Sequence, residues 1–186
     1  MQTRTAAAPV TGRPPIAELI DRARAGSPDA LGALYEAHGA ALFRLAYRLL
    51  GSREDAEDVV HDVFVGLPEA LQRYEERGAL DAWLKRVAAR VALMRLRGRR
   101  RRGEVDLAAA EETVGGGLSD PPTDVRRLQA AVDRLPEHLR SVLVLKEIEG
   151  YSHAEVGGLL GISEGASRVR LARGHKRLRT LLEDEP

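Results

Sequence analysis

The fold is decided by residues 152–178, SHAEVGGLLGISEGASRVRLARGHKRL. Ser152 and Glu155 have the spacing of a capping box, which predicts a short helix over residues 153–160. The sequence Gly-Ile-Ser at 161–163 predicts a tight turn, and the basic segment after it predicts a second helix. A short capped helix, a tight turn with glycine and a basic helix form the arrangement with which helix-turn-helix proteins contact DNA.

The second of these helices has two distinct faces. It is predicted to begin after its N-cap, Ser163, and to continue to about Leu182. Leu171, Gly174 and Leu178 share a face that can pack on the preceding helix. The opposite face is predicted to enter the major groove, where the planar fork of arginine can bond guanine O6 and N7 together. The candidate DNA contacts of this helix are Ser163, Arg168, Val169, Arg170, Ala172, Arg173 and Lys176.

The composition favours helices and gives no support to a metal or cofactor site. The chain of 186 residues is 44% hydrophobic but only 4% aromatic, whereas strands draw on aromatic and β-branched residues. It has no cysteine, which excludes disulfides and thiolate metal sites and suits a reducing cytoplasm. The five histidines are scattered without ligand spacing, so we expect no cofactor. No apolar run approaches the roughly 18 residues that a membrane helix needs.

Breaks in the helical pattern divide the chain into a tail, two helical domains and a linker. Residues 1–26 are expected to be a disordered tail, and residues 1–15 lack the apolar core of a secretion signal. The first domain is expected to span residues 27–98, and the second residues 124–186. Residues 99–123, which contain three consecutive glycines and a pair of prolines, predict a flexible linker. The predicted architecture is therefore all-α, with two small domains.

The first domain is predicted to contain three helices. The first opens at Ser27 and Pro28 and ends at Gly51, and Ser52 caps the second. A third, long helix is expected over residues 80–97. On a wheel of 3.6 residues per turn, its core face carries Leu80, Trp83, Leu84, Val87, Val91 and Met94.

Acidic residues line one face of the second helix. Asp55, Asp58 and Asp62 recur at spacings of three and four, where like charges repel by roughly 0.2–0.5 kcal/mol per pair. The helix dipole favours an acid in the first turn, which accounts for Asp55 but not for the other two. We interpret this acidic stripe, with an exposed Val59 beside it, as a docking face for a basic protein surface. A solvated face without a partner is the alternative.

Basic residues and two aromatic residues cluster on and just before the third helix. The cations lie in a segment without acids, one aromatic residue lies beside them, and the other lies in the preceding turn. Proteins that bind single-stranded DNA typically place cations along the phosphate backbone and stack aromatic side chains on the bases. The candidate contacts are Tyr74, Trp83, Lys85, Arg86, Arg90 and Arg97. A place in the core is the alternative for Trp83, and the four arginines at 99–102 are predicted to clamp phosphates.

Three segments in this order resemble bacterial RNA polymerase sigma factors of the extracytoplasmic-function (ECF) group, within the sigma-70 family. Residues 52–64 (SREDAEDVVHDVF) resemble region 2.2 of that family. Residues 77–84 (RGALDAWL) and 86–88 resemble regions 2.3 and 2.4. Region 4 is resembled by residues 135–137, 150–152, 155–156 and 161–165. The resemblance covers about residues 27–182, which is nearly the whole chain.

The resemblance implies a role for each surface. The acidic stripe would bind the β′ clamp helices of core RNA polymerase, and the third helix with its preceding turn would melt the minus-ten element. The linker would enter the RNA path of polymerase, and the last helix would contact the minus-thirty-five element. The protein would supply no catalysis and would be held inactive by an anti-sigma factor. The family commonly has other residue types at Arg90, Met94, Ser167 and Ala172.

Other classes of protein remain as alternatives at this point. A stand-alone helix-turn-helix regulator, with the first domain sensing a ligand, would bind duplex DNA without polymerase. An enzyme has little support, because no nucleophile–base pair or ligand spacing is present. An interaction protein such as an anti-sigma factor would not need a recognition helix. The last alternative is a helical bundle in which the basic helix is merely solvated. It would not explain why the helix caps, the tight turn and the two distinct faces of the last helix occur together.

Overall fold

The computed structural model describes residues 15–102 and 123–183, and every regular element within these ranges is a helix. The helices before the gap are α1 (Ile16–Arg24), α2 (Pro28–Leu50), α3 (Arg53–Val65), α4 (Leu67–Leu71) and α5 (Leu80–Arg102). Those after it are α6 (Thr123–Asp133), α7 (Glu137–Leu143), which continues into a π-helical turn (Val144–Ile148), α8 (His153–Leu160) and α9 (Glu164–Glu183). The all-α prediction is confirmed for these ranges. Residues 1–14 of the predicted tail and 103–122 of the predicted linker lie outside the described residues.

The expectation of a disordered tail is wrong for residues 16–24, which form α1. Leu19, Ile20 and Ala23 are buried on one side of this helix and pack against α2 and α4. Arg24 fixes its end by donating to a backbone oxygen of Leu71 at 3.0 Å. A helix of nine residues without a side-chain cap is marginal by itself, so α1 depends on these tertiary contacts.

The first helical unit comprises α1 to α5, and the second comprises α6 to α9. In the first unit, α2, α3 and α5 pack together at the centre. Gly51 ends α2 in the left-handed conformation, at φ 72°. Ser52 then caps α3, since its hydroxyl accepts a hydrogen bond from the backbone N–H of Asp55 at 3.2 Å. Both boundaries agree with the sequence, whereas α5 continues through Arg102 and so includes four arginines expected in the linker. Arginine is a strong helix former, which favours this extension.

The helix-turn-helix consists of α8, a tight turn and α9, as predicted. The full capping box is present at Ser152 and Glu155. Gly161 ends α8 at φ 68°, in the left-handed conformation. The turn also requires Gly157, because a Cβ built there would lie 2.7 Å from the backbone oxygen of Ile162. The backbone N–H of Ile162 donates in turn to the carbonyl of Gly157 at 3.0 Å.

The two helical units contact each other through α7 and the end of α2. Arg140 of α7 is buried, at 5% exposure. Its guanidinium donates to the carbonyl of Asp133 at 3.0 Å and lies 3.5 Å from that of Leu50. A cation beside helix C-terminal carbonyls is favoured by the helix dipole. Around it, Leu50 and Leu145 belong to one continuous buried cluster. Throughout the described ranges, the helices are too short or too polar to cross a membrane.

Candidate nucleic-acid interface

The recognition helix α9 presents the face that the sequence predicted. Gly174 and Leu181 are buried on one side, and Leu171 and Leu178 are partly buried beside them. The exposed side carries Arg168, Val169, Ala172, Arg173 and Lys176, and Arg170 is half-buried at its edge. The helix therefore offers one continuous surface of cations and small apolar groups.

Ser163 caps this helix, as expected. Its Oγ accepts a hydrogen bond from the backbone N–H of Ala166 at 3.1 Å, and its own O–H is then available as a donor. Arg168 hydrogen-bonds to Glu164 one turn earlier, so a base can engage Arg168 only in competition with that carboxylate. Arg173, by contrast, has no carboxylate partner among the contacts of residues 123–183.

Ser167 lies on the buried side of α9 and is fully buried. Its hydroxyl is paired with Nδ1 of His153 at 2.9 Å, which joins the two helices of the motif. A buried polar group needs such a partner, because an unpaired hydroxyl costs about 1–3 kcal/mol. Sequence reasoning missed this pairing, because His153 and Ser167 lie on different helices, which only the tertiary fold brings together.

A basic stripe on α5, formed by Arg86, Arg90 and Arg97, faces the helix-turn-helix in this structure. Arg86 contacts the Glu155 carboxylate at 2.6 Å, and Arg97 donates to the backbone oxygen of Leu159 at 2.7 Å. These residues and Arg90 line a cleft of about 520 Å³ between α5 and α8. Met94 lies in the same cleft at 66% exposure, so its placement on the core face was wrong.

The two aromatic candidates form a pair with each other. Tyr74 is only 7% exposed, and its ring centroid lies 4.7 Å from that of Trp83. Burial raises the pKa of the Tyr74 phenol, and its hydrogen bond to Glu76 does so too. The expectation that Tyr74 is available for stacking on a base is therefore wrong for this conformation. Trp83 is half-buried against the core, so part of its side chain remains accessible.

Lys85 lies at the edge of the basic stripe and is engaged by two carboxylates. Its ammonium lies 3.2 Å from Asp81, one turn earlier, and 4.0 Å from Glu149 of the second unit. Arg48 of α2 also approaches Glu149, at 3.6 Å. Sequence reasoning missed Glu149 as a bridge between the two units, because only the tertiary fold brings it near these cations.

The acidic stripe of α3 is neutralised from within the chain. Arg95 of α5 contacts Asp58 at 2.8 Å and Asp62 at 2.6 Å, and Asp55 contacts both Arg95 and Arg99. The hydrogen bond that Arg95 donates to the Asp62 carboxylate is the main cause that raises the pKa of the Arg95 guanidinium. These ion pairs offset the repulsion that made the stripe unusual in the sequence. Asp58 and Asp62 nevertheless keep about half of their side chains exposed, at 56% and 48%.

The prediction that Val59 is exposed on the docking face is wrong, because Val59 is fully buried. It points into the α2–α3–α5 core rather than beside the carboxylates, since it lies one residue past Asp58 on the helix. An exposed groove lies instead on the other side of α3. It measures about 740 Å³ and is lined by Tyr35, Phe43 and His61, among others. Sequence reasoning missed it because its residues come from two helices.

The fold and these surfaces define an all-helical DNA-binding protein with two basic helices, one in each unit. Among residues 15–102 and 123–183, no cluster of three or more His, Asp or Glu side chains could hold a metal ion. The candidate contacts for nucleic acid are the arginine face of α9 and the arginine stripe of α5.

Comparison with known proteins gives matches to two family models in the same order. Residues 34–102 match sigma-70 region 2, and residues 125–178 match sigma-70 region 4. The chain is 35% identical to the ECF RNA polymerase sigma factor SigE of Mycolicibacterium smegmatis, covering 80% of this chain and 60% of that protein. It is 34% identical to the RNA polymerase sigma factor CarQ of Myxococcus xanthus, covering 88% of this chain and 95% of CarQ.

A solved structure has a similar fold over most of the chain. The sigma factor CnrH, in complex with the cytosolic domain of CnrY, matches with a TM-score of 0.57 and 28% identity, covering 91% of this chain and 97% of CnrH. The chain belongs to the ECF group of the sigma-70 family. The first unit thus corresponds to region 2, and the second to region 4.

Proposed function

We propose that this protein is the promoter-recognition subunit of RNA polymerase, which binds the core enzyme and directs initiation at promoters with its own minus-thirty-five and minus-ten elements. The observation that carries the proposal is the presence of two basic helices, α5 and α9, each in the unit that matches the corresponding sigma region. Polymerase supplies the chemistry, and this chain supplies recognition and strand separation.

Contact with the minus-thirty-five element is assigned to the exposed face of α9. Arg173 projects from this face without a carboxylate partner among the described contacts, so it suits bidentate recognition of guanine. Arg170 and the Ser163 hydroxyl lie at the margins of the face, where the phosphates run. Arg168 can contact a base once its hydrogen bond to Glu164 is broken.

Contact with the minus-ten element is assigned to the stripe of α5. Arg86, Arg90 and Arg97 are exposed on one side of this helix and suit the backbone of a separated strand. Lys85 and the accessible part of Trp83 extend the surface towards the start of the helix. Tyr74 supports Trp83 from behind, which is a positioning role rather than stacking on a base.

Docking on core polymerase is assigned to α3. Asp58 and Asp62 are half-exposed and can exchange their pairing with Arg95 for basic residues of the β′ clamp helices. The groove on the other side of α3 adds aromatic surface, since Tyr35 is 54% exposed. Val59 supports this surface from the core and does not touch the partner.

An anti-sigma factor is the partner that we propose for control of this protein. The proposal is supported by CnrH, whose structure was solved in complex with the cytosolic domain of CnrY. A place in the cytoplasm follows from the proposed function, since core polymerase and promoter DNA are there.

The proposed function is tested by run-off transcription with purified core polymerase and a library of promoter fragments. We expect the complete holoenzyme to initiate at a small set of templates that share two elements. Core polymerase alone is the control and should not select them. The proposal would be contradicted if the holoenzyme initiated on no template and the protein formed no complex with core polymerase. Tight binding of duplex DNA by the isolated chain would favour the stand-alone regulator instead.

A further inference from the structure

The centre of the DNA-facing surface of α9 is apolar rather than charged. Val169 is 50% exposed and Ala172 is exposed one turn later. Arg168 and Arg173 stand on either side of them, five residues apart and so about 140° apart at about 100° per residue. Arg168 and Arg173 therefore flank a short apolar strip formed by Val169 and Ala172, and the exposed Lys176 follows this strip one turn after Ala172.

Within residues 15–102 and 123–183, Val169 takes no part in the apolar packing. It is absent from the buried cluster and from the side chains packed against it, whereas Leu171 and Leu178 on the other face do join that packing. Valine also has a lower helix propensity than the alanine, lysine and arginine that surround it. An exposed β-branched apolar side chain among arginines gains nothing in the free protein, so its contact is to be sought in the partner.

We infer that Val169, with Ala172 beside it, contacts the 5-methyl group of a thymine in the minus-thirty-five element. The inference rests on the proposed function, because it takes α9 as the helix that enters the major groove. It adds the identity of one base and the atoms that distinguish it.

The chemistry of the major groove selects thymine for this strip. Thymine is the one DNA base that presents a methyl group there, whereas cytosine presents an amino donor and the purines present N7 acceptors. A valine side chain against a cytosine or purine edge would remove water from a polar group without offering a hydrogen bond. Against the thymine methyl it buries apolar surface on both sides.

Ala172 matters because it is small. It follows Val169 by three residues and so lies next to it on the surface of α9. A long side chain at this position would hold the helix axis away from the base edges. With alanine there, the short Val169 side chain can approach a methyl group while the flanking arginines reach farther.

The test uses the complete holoenzyme and a promoter at which it initiates. Each thymine of the minus-thirty-five element, on either strand, is replaced in turn by deoxyuridine, which differs only by the missing methyl group. Thymine and uridine templates then compete for limiting holoenzyme, and run-off products are counted. We expect a loss of about fourfold at one position, which corresponds to roughly 0.8 kcal/mol for one buried methyl group.

The variant Val169→Ala should remove this discrimination, so that both templates are used equally. Val125→Ala is the matched control, because Val125 is a valine of similar exposure (52%) on α6, and it should keep the fourfold ratio. Val169→Thr, which replaces one methyl by a hydroxyl at constant shape, should reduce the ratio. Thermal unfolding of each variant checks that the fold is intact.

Two results would overturn the inference while leaving the proposed function in place. One is a wild-type holoenzyme that uses uridine templates equally at every position. The other is a Val169→Ala holoenzyme that discriminates as well as the wild type. A wild-type holoenzyme that initiates on no template would instead overturn the proposed function, and the inference with it.

Discussion

At the scale of single residues, the structure separates cations without a carboxylate partner from cations that the chain itself pairs. Arg95 belongs to the second group, because it bridges Asp58 and Asp62 of α3. Arg173 belongs to the first within the described part of the chain, and Arg168 lies between them because Glu164 holds it. Equal charge in the sequence therefore does not mean equal availability.

Arg173→Ala should weaken binding at the minus-thirty-five element by about 1–3 kcal/mol and relax preference at one base position. The reason is the loss of a two-pronged hydrogen bond to one guanine. Competitive run-off across all single-base variants of the element measures it. Arg170→Ala is the comparison, since loss of a phosphate contact should weaken every sequence alike. A uniform loss with Arg173→Ala would make it a phosphate contact as well.

The double variant Asp58→Lys with Asp62→Lys should weaken binding to core polymerase at least about tenfold, or roughly 1.4 kcal/mol. It reverses the charge on the exposed half of the stripe and also places two cations beside Arg95. Affinity for core polymerase is the measurement, and Asp58→Asn with Asp62→Asn separates lost attraction from new repulsion. Glu183→Lys, a charge reversal at the far end of α9, is the control. Unchanged affinity in the lysine variant would favour a solvated face without a partner.

At the scale of elements, the helix-turn-helix depends on one close approach of backbone to backbone. Gly157 allows the turn to cross α8, and a side chain there would strike the Ile162 carbonyl. A Cβ added at the next residue, Gly158, would meet nothing within 4 Å, although this residue lies in the same helix. The turn therefore requires glycine at position 157, whereas position 158 has room for a side chain.

Gly157→Ala should destabilise the second unit by about 1–3 kcal/mol, because a contact of 2.7 Å forces the backbone of the turn to move. Gly158→Ala is the matched control and should be neutral or stabilising by up to about 1 kcal/mol, since alanine favours helix. Chemical unfolding followed by circular dichroism measures both. Equal stability of the two variants would show that the turn tolerates a side chain at 157.

At the scale of the whole molecule, the second unit covers part of the surface of the first that we propose for the minus-ten element. Arg86 is paired with Glu155, and Arg97 is bound to the end of α8. Arg140 is buried at the junction near the carbonyl of Leu50. The proposed function requires the two basic helices to reach elements that lie far apart on DNA, so we expect this arrangement to open on the polymerase.

Arg86→Glu should shift the free chain towards open arrangements, by up to about fivefold in population, because an exposed ion pair contributes at most about 1 kcal/mol. The chain has no cysteine, so spin labels can be attached at Asp29→Cys and Glu183→Cys and their distance distribution recorded. Arg44→Glu, an exposed charge reversal away from the junction, is the control. A broad wild-type distribution that Arg86→Glu leaves unchanged would contradict the closed arrangement.

The amino-acid sequence alone determined the features that arise from neighbours along the chain. The helix caps, the glycine ends of α2 and α8, the two faces of α9 and the family itself were predictable, because periodicity and turn chemistry act within a few residues. Tertiary structure alone decided the features that need a distant partner. It folded residues 16–24 onto α4, buried Tyr74, paired Ser167 with His153 and supplied Arg95 to the acidic stripe. The physical reason is that burial and ion pairing depend on which helices pack together, and a wheel drawn on one helix contains no information about its neighbours.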